Sequence, residues 1–274
     1  MGNRRLGRKR LESVLKQLDG TSADSTGSRA GKSGFQMPPW QLMPAKYFGW
    51  MDDFLFSPAS LVDNADAALT DDVGDAAGGN VWRTNIDGTS DAISLDNSQT
   101  GGVVNILHGT GDNEETHMTA LNHGFTLDAS NARELWMTCR LKTSDANATG
   151  IYIGLASDNG AEETSVSGGG LEDGVGFYLA DGAASEVITL LTAVGDSETV
   201  TSLTDSFVDA TYVTLSLYFD GSSVQAYVNG VLRATVSSTL PTDGTIMFPA
   251  IHVAAREGAA NTVSIDYMSV CMER

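Results

Sequence analysis

The residues best suited to chemistry in this 274-residue chain are four histidines and a surplus of carboxylates. The histidines are His108, His117, His123 and His252. None stands in a spacing such as H-E-x-x-H, which sets two imidazoles on one helix face around zinc. His117 and His123 lie six apart in the polar stretch GTGDNEETHMTALNHG and read as loop residues, with a zinc pair as the sharper alternative. His252 falls in an apolar run and reads as a partly buried strand residue. A retaining glycosidase needs two carboxylates about 5 Å apart. One obvious source on a sheet is a pair of acids at i and i+2, or i and i+4, along one strand. The alternating runs carry no such pair: Glu162-Glu163 sits in a glycine-rich loop, and the run 262–272 offers only Asp266. Ser157, in GLASDNG, lacks the Gly-x-Ser-x-Gly elbow, and no phosphate-binding loop appears. The pattern argues against an enzyme.

Three further residue classes remain. Calcium takes hard oxygen ligands, which NIDGTSD (85–91), SDNGAEE (157–163) and FDG (219–221) supply without the EF-hand spacing. Solvated turns are the plainer reading, so no cofactor is expected, with calcium as the alternative. Cys139 and Cys271 fall at inward positions by alternation and read as small core hydrophobes. Each lies in its own strand, so a disulfide between them stays open. Trp82, Trp136, Tyr152, Tyr178, Tyr212, Tyr218 and Tyr227 stand at outward or loop positions. Such rings serve sugars as platforms, or they pair across strands and pack under loops.

The elements that must position these residues are strands. From residue 80 the apolar period is two. It shows in 134–141, 151–155, 175–179, 212–219, 223–232, 246–253 and 262–272. In the last run Val263, Ile265, Tyr267 and Cys271 are expected to share a face. Shorter candidates are 103–107, 124–127, 187–193 and 198–203. Pro249 predicts an edge, a bulge or a break in its run. Asp173-Gly174, Asp181-Gly182, Asp220-Gly221, Asn229-Gly230 and Asp243-Gly244 mark tight turns, because both residue types of each pair tolerate positive φ. The fold class is therefore all-β: two antiparallel sheets packed as a jelly-roll sandwich, each burying one face. No fixed repeat period points to a propeller or solenoid. No apolar run approaches the roughly 18 residues that cross a bilayer, so no membrane partner is expected.

Charge divides the chain. Residues 1–46 hold nine Lys or Arg and three acids, a net of +6, whereas the other 228 residues hold seven and 32, a net of −25. The acidic body argues against nucleic acid as a partner. Three regions follow. Residues 1–18 form a basic arm, in which Leu11, Val14, Leu15 and Leu18 make one stripe of a short helix. Residues 19–46 form a flexible linker and a Pro/Trp/Met-rich strap, and 47–274 form the sandwich. A helix this short becomes ordered on docking. Arg4, Arg5, Arg8, Lys9, Arg10, Leu11, Val14, Leu15 and Leu18 are therefore the candidate partner-anchoring residues.

LWMTCRLK (135–142), GVGFYLADG (174–182) and VTLSLYFDGSSVQAYVNG (213–230) make the body resemble the concanavalin A-like lectin/glucanase superfamily, in its laminin-G-like style. The resemblance runs over residues 50–274 and implies the jelly roll, with a glycan or calcium site in many members. The Glu-x-Asp-x-x-Glu signature of the glucanase branch is absent from this sequence. The ends, MGNRRLGRKRLESV and IDYMSVCMER, with DDFLF at 52–56, resemble structural proteins of tailed phages of marine bacteria. That resemblance implies a virion component assembled in the host cytoplasm. It would be a capsid decoration or head-fibre protein, held by its arm on the major capsid protein or another virion protein. A closed homo-oligomer is expected because most soluble oligomers close on a symmetry axis, and the resemblance favours a trimer. A carbohydrate-binding adhesion module is the alternative function.

Overall fold

The structure is a computed structural model that describes residues 46–54, 62–64, 82–86, 91–96, 102–111, 114–120, 123–157, 171–179, 186–255 and 260–274. The arm from Arg4 to Leu18, the linker and the strap up to residue 45 lie outside the described residues. So do residues 158–163 of one calcium candidate, residues 87–90 of another, and the turn Asp181-Gly182.

The described residues form sixteen strands, numbered in chain order, in two sheets. Sheet A runs β14 (Val231–Val236), β13 (Val224–Val228), β12 (Val213–Phe219), β7 (Leu135–Thr143), β16 (Asn261–Glu273), β5 (Val104–His108) and β4 (Ala92–Leu95). The strand β1 (Tyr47–Asp52) pairs with the C-terminal half of β16. Sheet B runs β11 (Ser197–Ser206), β10 (Val187–Val194), β9 (Gly174–Leu179), β8 (Thr149–Ser157), β15 (Met247–Ala255), β6 (Glu115–Thr119), β3 (Arg83–Ile86) and β2 (Val62–Asn64). Every pairing is antiparallel except β2 with β3. The expected two-sheet sandwich is thus the fold.

Alternation builds the core. Val213, Leu215, Leu217 and Phe219 of β12 meet Leu135, Met137, Cys139 and Leu141 of β7 on the inner face. Ile151, Ile153 and Leu155 of β8, with Val175, Phe177 and Leu179 of β9, close the core from sheet B. Between β13 and β14 only Asn229 and Gly230 remain, at φ 50° and 77°. Gly195 and Asp196 do the same between β10 and β11, at 52° and 63°. Two residues at positive φ match the right-handed twist of the strands they join.

Several expectations change. The run 223–232 is two strands, split at Asn229-Gly230. Asp173-Gly174 is no turn, since Gly174 opens β9. Segment 124–127 makes only a single bridge, Phe125 to Met247. β15 is an interior strand despite Pro249. The Pro249 carbonyl faces the β6 side, accepting from the Ala120 N–H, and the β6 ladder begins only at Ala250. The missing donor therefore falls beyond the end of one ladder, opposite Ala120, whose carbonyl accepts from the His123 N–H instead. A β-bulge between Ile265 and Tyr267 inverts the phase of β16, so Met268, Val270 and Met272 enter the core. Tyr267 and Cys271 consequently take the outer side rather than the face of Val263 and Ile265. Both cysteines are buried and neither forms a disulfide, and the inversion leaves Cys139 and Cys271 on opposite faces of sheet A.

Candidate functional site

The outer face of sheet A carries an open aromatic pair. Trp136 on β7 and Tyr218 on β12 are register partners, and their rings stack at 3.8 Å with 22° between planes. Trp136 is 37 % exposed. Cross-strand neighbours on one face approach closely enough for such contact. The Tyr218 hydroxyl donates to Glu134 Oε1 and the Tyr47 hydroxyl to Glu134 Oε2, both at 3.0 Å. Lys46 Nζ donates to the Tyr47 hydroxyl at 2.9 Å and lies 3.1 Å from Glu273 Oε1. Burial and then the Glu134 carboxylate push the Tyr218 phenol above its usual range. The bonded Lys46 ammonium holds the Glu273 carboxyl below its own. Both phenols therefore stay protonated and donating at neutral pH.

Polar groups border the pair. Gln225 is the register partner of Tyr218 and accepts from the Tyr227 hydroxyl at 2.6 Å. One row along, Thr138 donates to Ser216 at 3.2 Å. Farther along β7, Arg140 pairs with Asp266 and lies 4.1 Å from the Tyr212 ring centre, with Lys142 at 4.9 Å. A partly exposed aromatic pair rimmed by donors and acceptors suits a ring with an apolar face and hydroxyl edges, the two-sided character of a pyranose.

The other aromatic candidates are placed differently. Trp82 is wholly buried, with its indole N–H donating to Asp52 Oδ2 at 2.7 Å. Tyr152 points outward from sheet B yet is buried, and its hydroxyl donates to the Leu155 carbonyl at 2.8 Å. Tyr178, its register partner, is half-buried. Tyr212 is held against the two cations of β7. Trp136 and Tyr218 were thus visible in the sequence as outward rings, but Tyr47 and Glu134 were not singled out. Their signal was only the position of each at the edge of a strand.

The histidines do not converge. His117, on β6, lies 2.8 Å from Glu115 Oε2, and its ring sits 4.5 Å from that of His252 on β15, tilted by 34°. His123 packs 5.8 Å from Trp50, and burial pushes its pKa down. His108 faces the interior beside Asp91. Among the described residues no group of three or more His, Cys, Asp or Glu is arranged to hold a metal ion. Of the calcium candidates, Asp220 spends its carboxylate on Ser222 and Ser223. Partial burial pushes its pKa up, but those four bonds outweigh it and hold it at about 2. No described helix is long and apolar enough to cross a membrane.

The chain matches no family model and no curated protein. Solved structures do match. Peanut lectin, in complex with a nonapeptide, is 11 % identical, over 83 % of this chain and 97 % of that one, with a TM-score of 0.55. The potassium-bound carbohydrate recognition domain of Emp46p is 12 % identical, over 69 % and 87 %, with a TM-score of 0.52. A protein of unknown function from Shewanella oneidensis MR-1 is 17 % identical, over 88 % and 96 %, also at 0.52. At such identities the likeness speaks for architecture alone, and the architecture is the concanavalin A-like lectin jelly roll.

Proposed function

We propose that the sandwich is a carbohydrate-binding module whose ligand lies against the Trp136–Tyr218 pair. The observation that carries this reading is exposed Trp136 stacked on half-buried Tyr218 on sheet A, with the polar rim around them. The lectin-like fold supports it, since Emp46p uses that fold as a carbohydrate recognition domain. Binding is favoured over hydrolysis because Glu134, the carboxylate beneath the pair, has both oxygens occupied by phenols. A glycan array with the full chain, followed by calorimetry, tests the reading. Trp136→Ala should abolish the array signal while the protein stays folded, and a signal indifferent to that change would refute it.

The charge division favours a second, compatible role. A +6 arm on a −25 body is arranged to hold the module on another surface. We propose a virion structural protein, of the capsid decoration or head-fibre kind, as the setting. Deleting residues 1–34 should release the protein from purified particles, and undiminished retention would rule out anchoring by the arm.

A further inference from the structure

One end of the sandwich interior is polar. Asp91 precedes Ala92, which pairs with Leu107, so Asp91 falls opposite His108 at the end of β5. His108 in turn lies opposite Asn261, the first residue of β16. His108 and Asn261 are buried, and the Asp91 side chain is shut off from solvent. Buried Thr116 of β6 stands on the facing sheet, between Glu115 and His117. Thr116 is the register partner of the core residue Val253, so it faces the interior, where β6 lies against β5.

Each of these four side chains has a buried atom without a hydrogen-bond partner: Asp91 Oδ2, both ring nitrogens of His108, Asn261 Oδ1 and Thr116 Oγ1. Their other groups are engaged. Asp91 Oδ1 accepts from the Gly109 N–H at 2.9 Å, and Asn261 Nδ2 donates to the Ala148 carbonyl. Asp91 Oδ2 and His108 Nδ1 lie 3.0 Å apart, close enough to pair when the ring is protonated. A carboxylate oxygen out of water needs a positive partner. Two ligands at right angles, each about 2.1 Å from one ion, sit about 3 Å apart.

We propose that Asp91, His108 and Asn261, with Thr116 from the facing sheet, hold a first-row divalent cation inside the sandwich. A donor set of imidazole nitrogen with carboxylate, amide and hydroxyl oxygens suits manganese or zinc better than calcium or magnesium, which prefer oxygen alone. The ion links β4, β5 and β16 of one sheet to β6 of the other. The site is separate from the Trp136–Tyr218 face and independent of the glycan reading.

The test uses the full chain, stripped with a chelator and then reloaded with Mn2+ or Zn2+. Elemental analysis should find about one ion per chain, and reloading should raise the melting temperature by about 5–10 °C. Asp91→Asn and His108→Gln should each lose the ion and that rise, while His117→Gln keeps both. Wild-type protein that retains no ion and melts alike when stripped and reloaded overturns the proposal, whether or not the variants fold. So does an ion that Asp91→Asn or His108→Gln still holds.

Discussion

The two outer faces of the sandwich carry similar residues and end in opposite states. On sheet A, Trp136 and Tyr218 stand side by side, and Trp136 stays open while Tyr218 is half-buried. On sheet B, a row formed by His117, His252, Tyr152, Tyr178 and Thr189 crosses β6, β15, β8, β9 and β10 in register. Yet Tyr152 and His252 are buried, and Tyr152 belongs to an outer-face cluster with Leu171, Leu191, Ala193, Ala250 and Ala254. Glycine explains part of the contrast. A Cβ on Gly176 would meet Tyr152 ring atoms at 2.7 and 2.8 Å, and one on Gly154 would meet the Val175 carbonyl at 2.4 Å. Tyr152 therefore lies flat on a floor of glycines. The neighbours of Trp136 and Tyr218 carry side chains, and these rings pack on each other. Alternation assigns a ring to the outside of a sheet; only its neighbours decide whether the ring meets solvent.

This comparison can be broken at several points. The largest expected effect is Gly176→Val, which should cost about 3 kcal/mol in chemical unfolding because Tyr152 has nowhere to go. Ser216→Val, on the outer face of sheet A, should stay within about 0.5 kcal/mol. Equal costs would show that the two faces are packed alike. Next, Trp136→Ala should weaken glycan binding by at least about tenfold, or ~1.4 kcal/mol by calorimetry, whereas Tyr178→Ala on sheet B leaves it unchanged. Tyr218→Phe should cost about 1 kcal/mol of stability through the lost bond to Glu134. The smallest effect concerns Glu273, whose carboxyl the Lys46 ammonium holds below its usual range. That depressed value contributes stability above about pH 4.5, which is lost as the pH falls through the folded-state value. The pair is exposed and screened, so Glu273→Gln should flatten the acid limb of the melting curve only slightly, and salt should mimic it. A steep, salt-insensitive limb would mean that the rim of sheet A is drier than its exposure indicates.

Much of the architecture was legible in residue order. β7, β8, β12 and β13 follow runs of alternation, and Asp220-Gly221 and Asn229-Gly230 fall between strands as their φ preferences require. Five strands went unread. β2, β3 and β4 have three or four residues, too few to establish a period. β6 reads ETHMT and looks like polar loop. β1 begins a Phe/Trp-rich stretch whose face depends on β16. The phase change in β16 was equally hidden, because a bulge at Asp266 leaves no compositional trace. At the candidate site Trp136 and Tyr218 were identifiable as outward rings. Their meeting was not, since it depends on a register set between strands more than seventy residues apart.

Residue order by itself determined the strand period, the tight turns, the all-β class and the opposite charges of arm and body. These are properties of near neighbours along the chain, where φ preference and side-chain alternation act locally. Tertiary structure alone decided which rings are open, that Asp91, His108 and Asn261 share one inner row, and that the two thiols face apart. Those outcomes depend on registers between distant strands, and register is set by the best total burial of the whole sandwich rather than by any one segment.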